Sequence, residues 1–278
     1  MFENNSYNIN YNYSNIIVIG DIHGDIERLK KLLIKEKIIN YNLEWIALNT
    51  LVIQLGDQLD SLNRIINIKE WEILKDIDVV NFTNLLSKIA VLKNSLFISL
   101  NGNHELMNIL GNFSYVSKKS LNHDRINLFK KNGMYRDILA NRPLIVKIND
   151  LLFCHAGIKK HHLDILDKYN KNIFYINEIW KKYLLLDNLD NIDKNIFNTI
   201  INDNDGIMWT RNIYNDNENK YVLNKLNSTY MFVGHNTVDN IKLKNNIWFV
   251  DSGLSRSYGR NNYEYIKIKN KNISIIKI

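Results

Sequence analysis

The chain has 278 residues and a hydrophobic content of 45%, enough for a folded core, and no apolar run reaches the roughly 18 residues of a membrane span. A polar tail over residues 1–14 without a secretory signal, together with a single cysteine, Cys154, predicts a soluble cytoplasmic protein that has no internal disulfide. The formal net charge of +7 suits an acidic partner such as a phosphorylated protein or peptide, whereas the scattered lysines argue against nucleic-acid binding.

Strands and helices alternate in the first part of the chain. Residues 15–21 (NIIVIGD) and 50–57 (TLVIQLGD) each form a short apolar run that ends in Gly-Asp, which predicts two strands, and the amphipathic segment 26–37 predicts a helix between them. A mostly helical stretch over 68–93 precedes a third predicted strand in 95–105 (SLFISLNGNHE). Because ligand sites collect at the carboxyl ends of strands in α/β proteins, the polar residues that follow these strands are expected to converge.

The second part of the chain predicts a hairpin, a helical region and a run of strands. Residues 143–148 and 151–157 have the pattern of two hairpin strands, and residues 159–203 carry apolar side chains at helical spacing. Further strands are predicted over 228–236, 246–253, 263–269 and 273–278. No composition break divides the chain, so a single domain over 1–278 with a mixed sheet core is the simplest interpretation.

Eight polar side chains at these strand ends have the chemistry of a metal site and its surroundings. They are Asp21, His23, Asp57, Asp60, Asn103, His104, His155 and His235. Carboxylate, imidazole and amide groups suit Mn, Fe and Zn, and a carboxylate shared by two such ions about 3.5–4 Å apart is used for in-line attack on phosphorus. Each short motif alone is common turn chemistry, but all of them together, in order, predict a dinuclear catalytic site.

Three other residues are predicted to lie outside that site. His161 and His162 follow two lysines and are expected on the solvated face of a helix start. Cys154 precedes His155 on a strand, so alternation directs it into the core, where it acts as a small apolar residue and not as a nucleophile.

The order of these blocks resembles a known family. GDIHG, GDQLD, GNHE, HAG and the final GH resemble the calcineurin-like metallophosphoesterases and, within them, the phosphoprotein phosphatases. Residues 102–117 (GNHELMNILGNFSYVS), 208–211 (MWTR) and 249–259 (FVDSGLSRSYG) are similar to the Shewanella-like, bacterial-type protein phosphatases, and the resemblance covers about residues 15 to 260. It implies a four-layer α/β/β/α sandwich of mixed sheets with the metal site at strand ends. It also implies a metal-dependent phosphomonoesterase, most simply a protein phosphatase.

The resemblance further implies a role for each site residue. Two divalent metal ions, manganese in the first place and iron or zinc otherwise, share Asp57 and are held by two sets of ligands: Asp21, His23 and Asp57, and Asp57, Asn103, His155 and His235. A hydroxide between the ions would attack phosphorus directly. His104 would protonate the leaving oxygen, Asp60 would orient the His104 ring, and Arg211 in MWTR would bind the phosphate.

The sequence departs from the family pattern directly after Asp60. The family has an arginine there, whereas this chain has Ser61, and the next arginine is Arg64. Arg64 is either a replacement for the missing phosphate contact or a surface residue. A second departure is an apparent insertion over residues 62–80, which is expected beside the site and able to influence substrate choice.

Two alternatives to a protein phosphatase stay open at this point. A nucleotide phosphohydrolase of the diadenosine-tetraphosphatase kind shares the metal blocks, although GNHELMN and MWTR favour phosphoprotein substrates. The other alternative is a metal-binding but inactive scaffold or a nucleic-acid-binding module. The missing arginine agrees with an inactive protein, yet no predicted metal ligand is lost and the sequence has no concentrated basic stripe. Phosphoserine or phosphothreonine and phosphotyrosine are equally open as substrates, and the pattern predicts no oligomeric state.

Overall fold

The fold was obtained as a computed structural model, which describes residues 7–64, 76–118, 120–121, 124–186, 188–213 and 215–278. Most of the predicted insertion over 62–80 therefore lies outside the described residues. The strands are β1 (Asn8–Ile9), β2 (Asn15–Ile19), β3 (Thr50–Gln54), β4 (Leu96–Ser99), β5 (Ile145–Ile148), β6 (Leu151–Cys154), β7 (Tyr230–Val233), β8 (Lys242–Lys244), β9 (Ile247–Phe249), β10 (Glu264–Lys269) and β11 (Asn272–Lys277). The α-helices are α1 (Ile26–Lys35), α2 (Asp76–Ala90), α3 (Asn103–Ile109), α4 (Arg125–Phe129), α5 (Met134–Ala140), α6 (Lys160–Lys168), α7 (Tyr175–Leu186), α8 (Asn191–Ile196) and α9 (Asp216–Lys225).

Two mixed sheets form the centre of the fold. The first has the order β11-β10-β2-β3-β4, and β2, β3 and β4 are parallel within it. The second has the order β1-β5-β6-β7-β9-β8, with β6, β7 and β9 parallel and β5 and β6 joined as the predicted antiparallel hairpin. Part of the segment predicted to be a polar tail belongs to this second sheet, because β1 pairs with β5.

Side chains alternate between the two faces of each sheet and so build the layers. Val18 of β2 and Phe153 of β6 lie in the apolar cluster that both sheets share. Their neighbours Ile17 and Leu152 point the opposite way, and each packs in a separate cluster with helices. These outer clusters contain Leu29, Leu32 and Leu86 from α1 and α2 on one side, and Leu139 and Trp180 from α5 and α7 on the other. The predicted four-layer α/β/β/α arrangement is thereby confirmed.

The loops that follow the parallel strands meet at one edge of this sandwich. The backbone N–H groups of Ile22 and His23, after β2, both donate to the carbonyl of Asp57, after β3. In the second sheet the N–H of Gly234, after β7, donates to the carbonyl of His155, after β6, at 2.8 Å. The strand-end residues are therefore brought together by the backbone itself.

Two predictions about residues outside the site have opposite outcomes. Cys154 lies buried in the core with its Sγ 3.6 Å from Met231 Sδ, and burial raises the pKa of its thiol, as expected for an inert residue. The prediction for His162 was wrong, because its ring is fully buried and bonds to the Lys159 N–H and the Asp205 carbonyl.

Among helices of the described ranges, none combines the length and the apolar composition of a membrane crossing.

Candidate active site

The strand-end side chains line a single cleft of about 720 Å³. Its wall includes six of the eight predicted site residues, together with Arg64 and Arg211: Asp21, His23, Asp57, Asn103, His104 and His235. The other two, Asp60 and His155, are buried and contact cleft residues through their side chains. The structure therefore brings together every residue that was predicted from the motifs.

Asp57 occupies the centre of the arrangement. Its Oδ2 lies 3.2 Å from His155 Nε2, 3.8 Å from His104 Nε2 and 3.9 Å from His23 Nε2. Two groups of donor atoms, each within 4.8 Å of one another, share this aspartate: His23, Asp57 and His104, and Asp57, His155 and His235. A carboxylate common to two neighbouring ligand groups has the placement that a bridging ligand needs.

Asn103 and Asp21 complete these two groups. The amide oxygen of Asn103 lies 3.0 Å from His155 Nε2 and 2.9 Å from His235 Nδ1. The carboxylate of Asp21 lies 3.9 Å from His23 Nε2, and both its oxygens accept from the backbone N–H of His235. Oxygen and nitrogen donors of this mixture fit borderline divalent metals.

Backbone carbonyls orient the imidazole rings of His23, His155 and His235. Each ring has one nitrogen within hydrogen-bond distance of a carbonyl, which can only accept, so that nitrogen carries the proton. The pairs are His23 Nδ1 with Leu59 at 3.0 Å, His155 Nδ1 with Leu55 at 2.8 Å, and His235 Nε2 with Trp209 at 2.9 Å. The opposite nitrogen of each ring is then the one with a lone pair, and it faces the centre. Such carbonyl contacts orient metal-binding histidines.

The pKa values of the two central carboxylates, Asp21 and Asp57, are shifted in opposite directions. Burial and the negative charges of Asp251 and Asp57 raise the pKa of Asp21 well above its ordinary value. Burial acts on Asp57 in the same direction, but the imidazoles of His155 and His104 outweigh it and hold the pKa of Asp57 well below its usual range. Asp57 is therefore a firmly ionised carboxylate.

The pKa values of the histidines are also shifted in different directions. Burial and the charge of Arg64 lower the pKa of His23 well below its ordinary value, and burial with the neighbouring His155 lowers the pKa of His235 to about 3. Both rings are neutral near pH 7, which is the form that binds a metal ion. Burial would also lower the pKa of His155, but the charge of Asp57 outweighs it and raises that pKa.

His104, a member of the first group, forms a close pair with Asp60. The Nδ1 of His104 lies 2.6 Å from Asp60 Oδ2, and its Nε2 faces the centre, 3.8 Å from Asp57. The ring is also in edge contact with Tyr115 at 5.1 Å between centroids. A carboxylate on one nitrogen and the cleft on the other is the geometry of an oriented proton donor.

Glu105 was present in the motif but was given no role by sequence reasoning. Its buried carboxylate accepts from four backbone N–H groups: Asp57 at 2.8 Å, Gln58 at 2.9 Å, Leu59 at 3.1 Å and Gly102 at 2.7 Å. It thereby ties the loop after β3 to the start of α3. The signal available beforehand was only that an acidic residue three positions after Gly102 suits a helix N-terminus.

Four site residues have left-handed backbone conformations although none is a glycine. The angle φ is 42° at His23, 53° at Asp57, 67° at Asp60 and 56° at His235. Residues other than glycine seldom adopt this region, and those that do cluster at functional sites. The loops therefore hold the side chains in place at some expense of backbone stability.

Two glycines allow the backbone to approach the carboxylates closely. A Cβ placed on Gly102 would lie 2.2 Å from Asp57 Oδ1, and one on Gly234 would lie 2.2 Å from Asp21 Oδ1. Both distances are shorter than any real contact, so a larger residue at either position would displace a central carboxylate.

Arg64 and Arg211 both border the cleft. Arg64 packs over the ring of Tyr115, 4.8 Å from its centroid, and its Nη1 donates to the Leu62 carbonyl at 2.9 Å. Arg211 donates to the carbonyl of His235 at 3.1 Å. Ser61, in contrast, is buried, with its Oγ 3.2 Å from Ser117 Oγ. The position directly after Asp60 therefore faces the interior, and the next arginine reaches the cleft wall.

Comparison with known proteins agrees with this geometry. A family model described as calcineurin-like phosphoesterase matches residues 14–239. The chain is 31% identical over 299 residues to the Shewanella-like protein phosphatase 1 of Plasmodium berghei (strain Anka), with 98% of this chain and 76% of that protein covered.

Solved structures share the same fold at lower identity. The cold-active protein-tyrosine phosphatase of a psychrophilic Shewanella sp. matches with a TM-score of 0.78 and 21% identity, covering 97% of this chain and 79% of that one. A protein serine/threonine phosphatase from Saccharomyces cerevisiae matches with a TM-score of 0.58 and 15% identity, covering 99% and 81% of the two chains. From the family match over most of its length and the relative that it covers almost completely, the chain belongs to the calcineurin-like phosphoesterase family.

Proposed function

We propose that the protein is a metal-dependent protein phosphatase that hydrolyses phosphomonoesters on a protein or peptide. The observation that carries the proposal is that Asp57 belongs to both groups of potential ligand atoms, and that His104, a member of the first group, is paired with Asp60. The similarity to a Shewanella-like protein phosphatase over 98% of the chain supports a phosphoprotein substrate over a dinucleotide. A cytoplasmic location stays a prediction from the sequence.

The donor set fits a pair of divalent cations. Manganese is proposed first, with iron or zinc as the other metals that these ligands accept. One ion would take Asp21, His23 and Asp57, and the other would take Asp57, Asn103, His155 and His235. When bound, such a pair polarises the phosphoryl group and stabilises the charge that develops during displacement at phosphorus.

The remaining chemistry belongs to side chains that do not bind the ions. His104 would donate a proton from Nε2 to the leaving oxygen as the bond from phosphorus to that oxygen breaks. Asp60 holds the other ring nitrogen and so fixes the direction of Nε2. Arg211 would bind phosphoryl oxygens from the cleft wall, where its guanidinium lies.

Arg64 is proposed to supply the phosphate contact that Ser61 cannot make. Its guanidinium lies on the cleft wall and packs over the ring of Tyr115, which lines the same cleft, while Ser61 is buried against Ser117. A guanidinium has five N–H donors, so Arg64 keeps further donors beyond those directed to the Leu62 and Asp60 carbonyls. These can bind phosphoryl oxygens, in the manner of the arginine that the family has after the aspartate.

Replacing Arg64 with alanine is expected to lower kcat/KM for phosphomonoesters about 10-fold to 100-fold, since a hydrogen bond to a charged group contributes about 1.5–3 kcal/mol. Arg64→Lys keeps the positive charge but not the planar guanidinium, so its kcat/KM should lie between those of the unaltered protein and Arg64→Ala. Steady-state kinetics on p-nitrophenyl phosphate measure the effect. Lys242→Ala, on an exposed strand, controls for the loss of one positive charge. An unchanged kcat/KM in Arg64→Ala would show that Arg64 does not replace the missing arginine.

The proposed function is tested by a hydrolysis panel with added Mn²⁺, with and without a chelator. The substrates are p-nitrophenyl phosphate, phosphoserine, phosphothreonine and phosphotyrosine peptides, and diadenosine tetraphosphate. We expect phosphate release from at least one phosphopeptide and its loss on chelation. Turnover of the dinucleotide alone would replace the proposal with the nucleotide phosphohydrolase, and no turnover by a metal-loaded protein would identify an inactive metal-binding protein.

A further inference from the structure

A buried network of polar side chains lies behind the His104–Asp60 pair. Its other members are Arg125, the first residue of α4, Asp76, the first residue of α2, and Asn108 in α3. All are almost completely buried, and the guanidinium of Arg125 also packs over an aromatic ring. Burying an unpaired charge costs free energy, so the charges of Arg125 and Asp76 depend on the contacts that these residues make with each other and with Asn108.

The first arm of the network runs from Arg125 through Asp76 to the backbone of Asp60. Arg125 makes two parallel bonds to Asp76, from Nη1 to Oδ1 at 3.0 Å and from Nη2 to Oδ2 at 2.7 Å. The same Oδ2 of Asp76 accepts from the backbone N–H of Asp60 at 2.8 Å. The bidentate pair therefore sets where the Asp60 backbone lies.

The second arm runs through Asn108 to the carboxylate of Asp60. Arg125 Nε donates to Asn108 Oδ1 at 2.9 Å. Because a guanidinium has only donors, the amide oxygen must face Arg125, and the amide nitrogen must face the other way. That nitrogen donates to Asp60 Oδ1 at 2.8 Å, while Asp60 Oδ2 contacts His104 Nδ1 at 2.6 Å.

We propose that Arg125 is a positioning residue for proton donation to the leaving group. It fixes Asp60 from the backbone side through Asp76 and from the side-chain side through Asn108, and Asp60 in turn fixes the ring of His104. The inference rests on the proposed function, because it assigns no chemistry of its own to Arg125. A lysine cannot replace it, since a single ammonium cannot hold Asp76 in two parallel bonds and Asn108 in a third.

The test compares two leaving groups in Arg125→Lys. Phenolate is a poor leaving group because its conjugate acid has a pKa of about 10, so phenyl phosphate needs the proton. A nitro group spreads the charge of p-nitrophenolate, which leaves with little help. We expect kcat for phenyl phosphate to fall about 10-fold to 100-fold and kcat for p-nitrophenyl phosphate to fall about threefold or less, with both KM values unchanged.

A second readout does not depend on turnover. The short His104–Asp60 hydrogen bond should give a far-downfield imidazole N–H proton signal in zinc-loaded protein. We expect this signal in the unaltered protein and its shift or loss in Arg125→Lys, while the metal content per chain stays the same. Arg136→Lys is the matched control, because Arg136 is also a buried arginine but donates to carbonyls of α7.

Reference variants separate the possible outcomes. His104→Ala should show the same preference for the better leaving group; if it does not, the proton donor itself is misassigned and the inference falls with it. If His104→Ala shows the preference and Arg125→Lys shows neither the preference nor the spectral change, the inference alone is overturned. Should Arg125→Lys not fold, Asn108→Ala leaves the Arg125–Asp76 pair in place, and an unselective loss of kcat in that variant would equally overturn the positioning role.

Discussion

Asp57→Asn is expected to abolish turnover and to reduce the bound metal by at least one ion per chain. The amide has the size of the carboxylate but no charge, and the three imidazoles that face Asp57 Oδ2 surround the position where that charge lies. Metal ions contribute several kcal/mol to stabilisation of the transition state, so kcat/KM should fall about 10³-fold or more. Kinetics with p-nitrophenyl phosphate and elemental analysis of the purified protein measure the two effects.

Asp193→Asn is the matched control for that experiment. Asp193 is also a buried aspartate, but it lies in α8 and pairs with Tyr175 and Lys182 of α7. Its replacement should affect stability without affecting metal content. Full activity of Asp57→Asn with two ions bound would exclude a bridging role for this residue.

Glu105→Gln is expected to destabilise the fold and the site together. Each carboxylate oxygen of Glu105 accepts from two backbone N–H groups, so an amide nitrogen in place of one oxygen would face two donors. Two buried donors left unsatisfied cost about 1–3 kcal/mol each, and we expect the free energy of unfolding to fall by about 2–6 kcal/mol. Denaturant unfolding measures the loss.

The control for this prediction is Glu27→Gln on the exposed face of α1. Glu27 is exposed and pairs with Lys30 at 3.3 Å, and its replacement should change the free energy of unfolding by about 0.5 kcal/mol or less. A Glu105→Gln protein with the stability and metal affinity of the unaltered chain would show that the loop after β3 does not depend on this carboxylate.

The strand-end residues could be predicted because each of them closely follows an apolar run of the length of a strand. The apolar runs before Asp21 and Asp57 are parallel neighbours in one sheet, and parallel strands place their carboxyl ends at one edge. Glycines next to these residues mark close approach of backbone, as at Gly102 and Gly234.

The supporting contacts could not be predicted in the same way. Glu105 bonds to a loop up to 48 residues earlier, and Arg125 bonds to Asp76 across 49 residues, so no local pattern links the partners. The prediction for His162 was wrong for a related reason. A run of lysines and histidines is typical of a solvated helix start, but this ring points inward and bonds to the Asp205 carbonyl. Partners that are distant in sequence and use backbone groups leave no spacing to detect.

The left-handed conformations of His23, Asp57, Asp60 and His235 restrict which amino acids these positions accept. Aspartate, asparagine and histidine are the non-glycine residues that enter this region most readily, and they also provide oxygen and nitrogen ligands. Glutamate carries the same carboxylate, but its extra methylene would move the oxygens away from the tight loops. At His23, Asp57 and His235 the choice of amino acid is therefore restricted twice, once by coordination chemistry and once by the backbone conformation, and a substitution there that satisfies only the first is expected to fail.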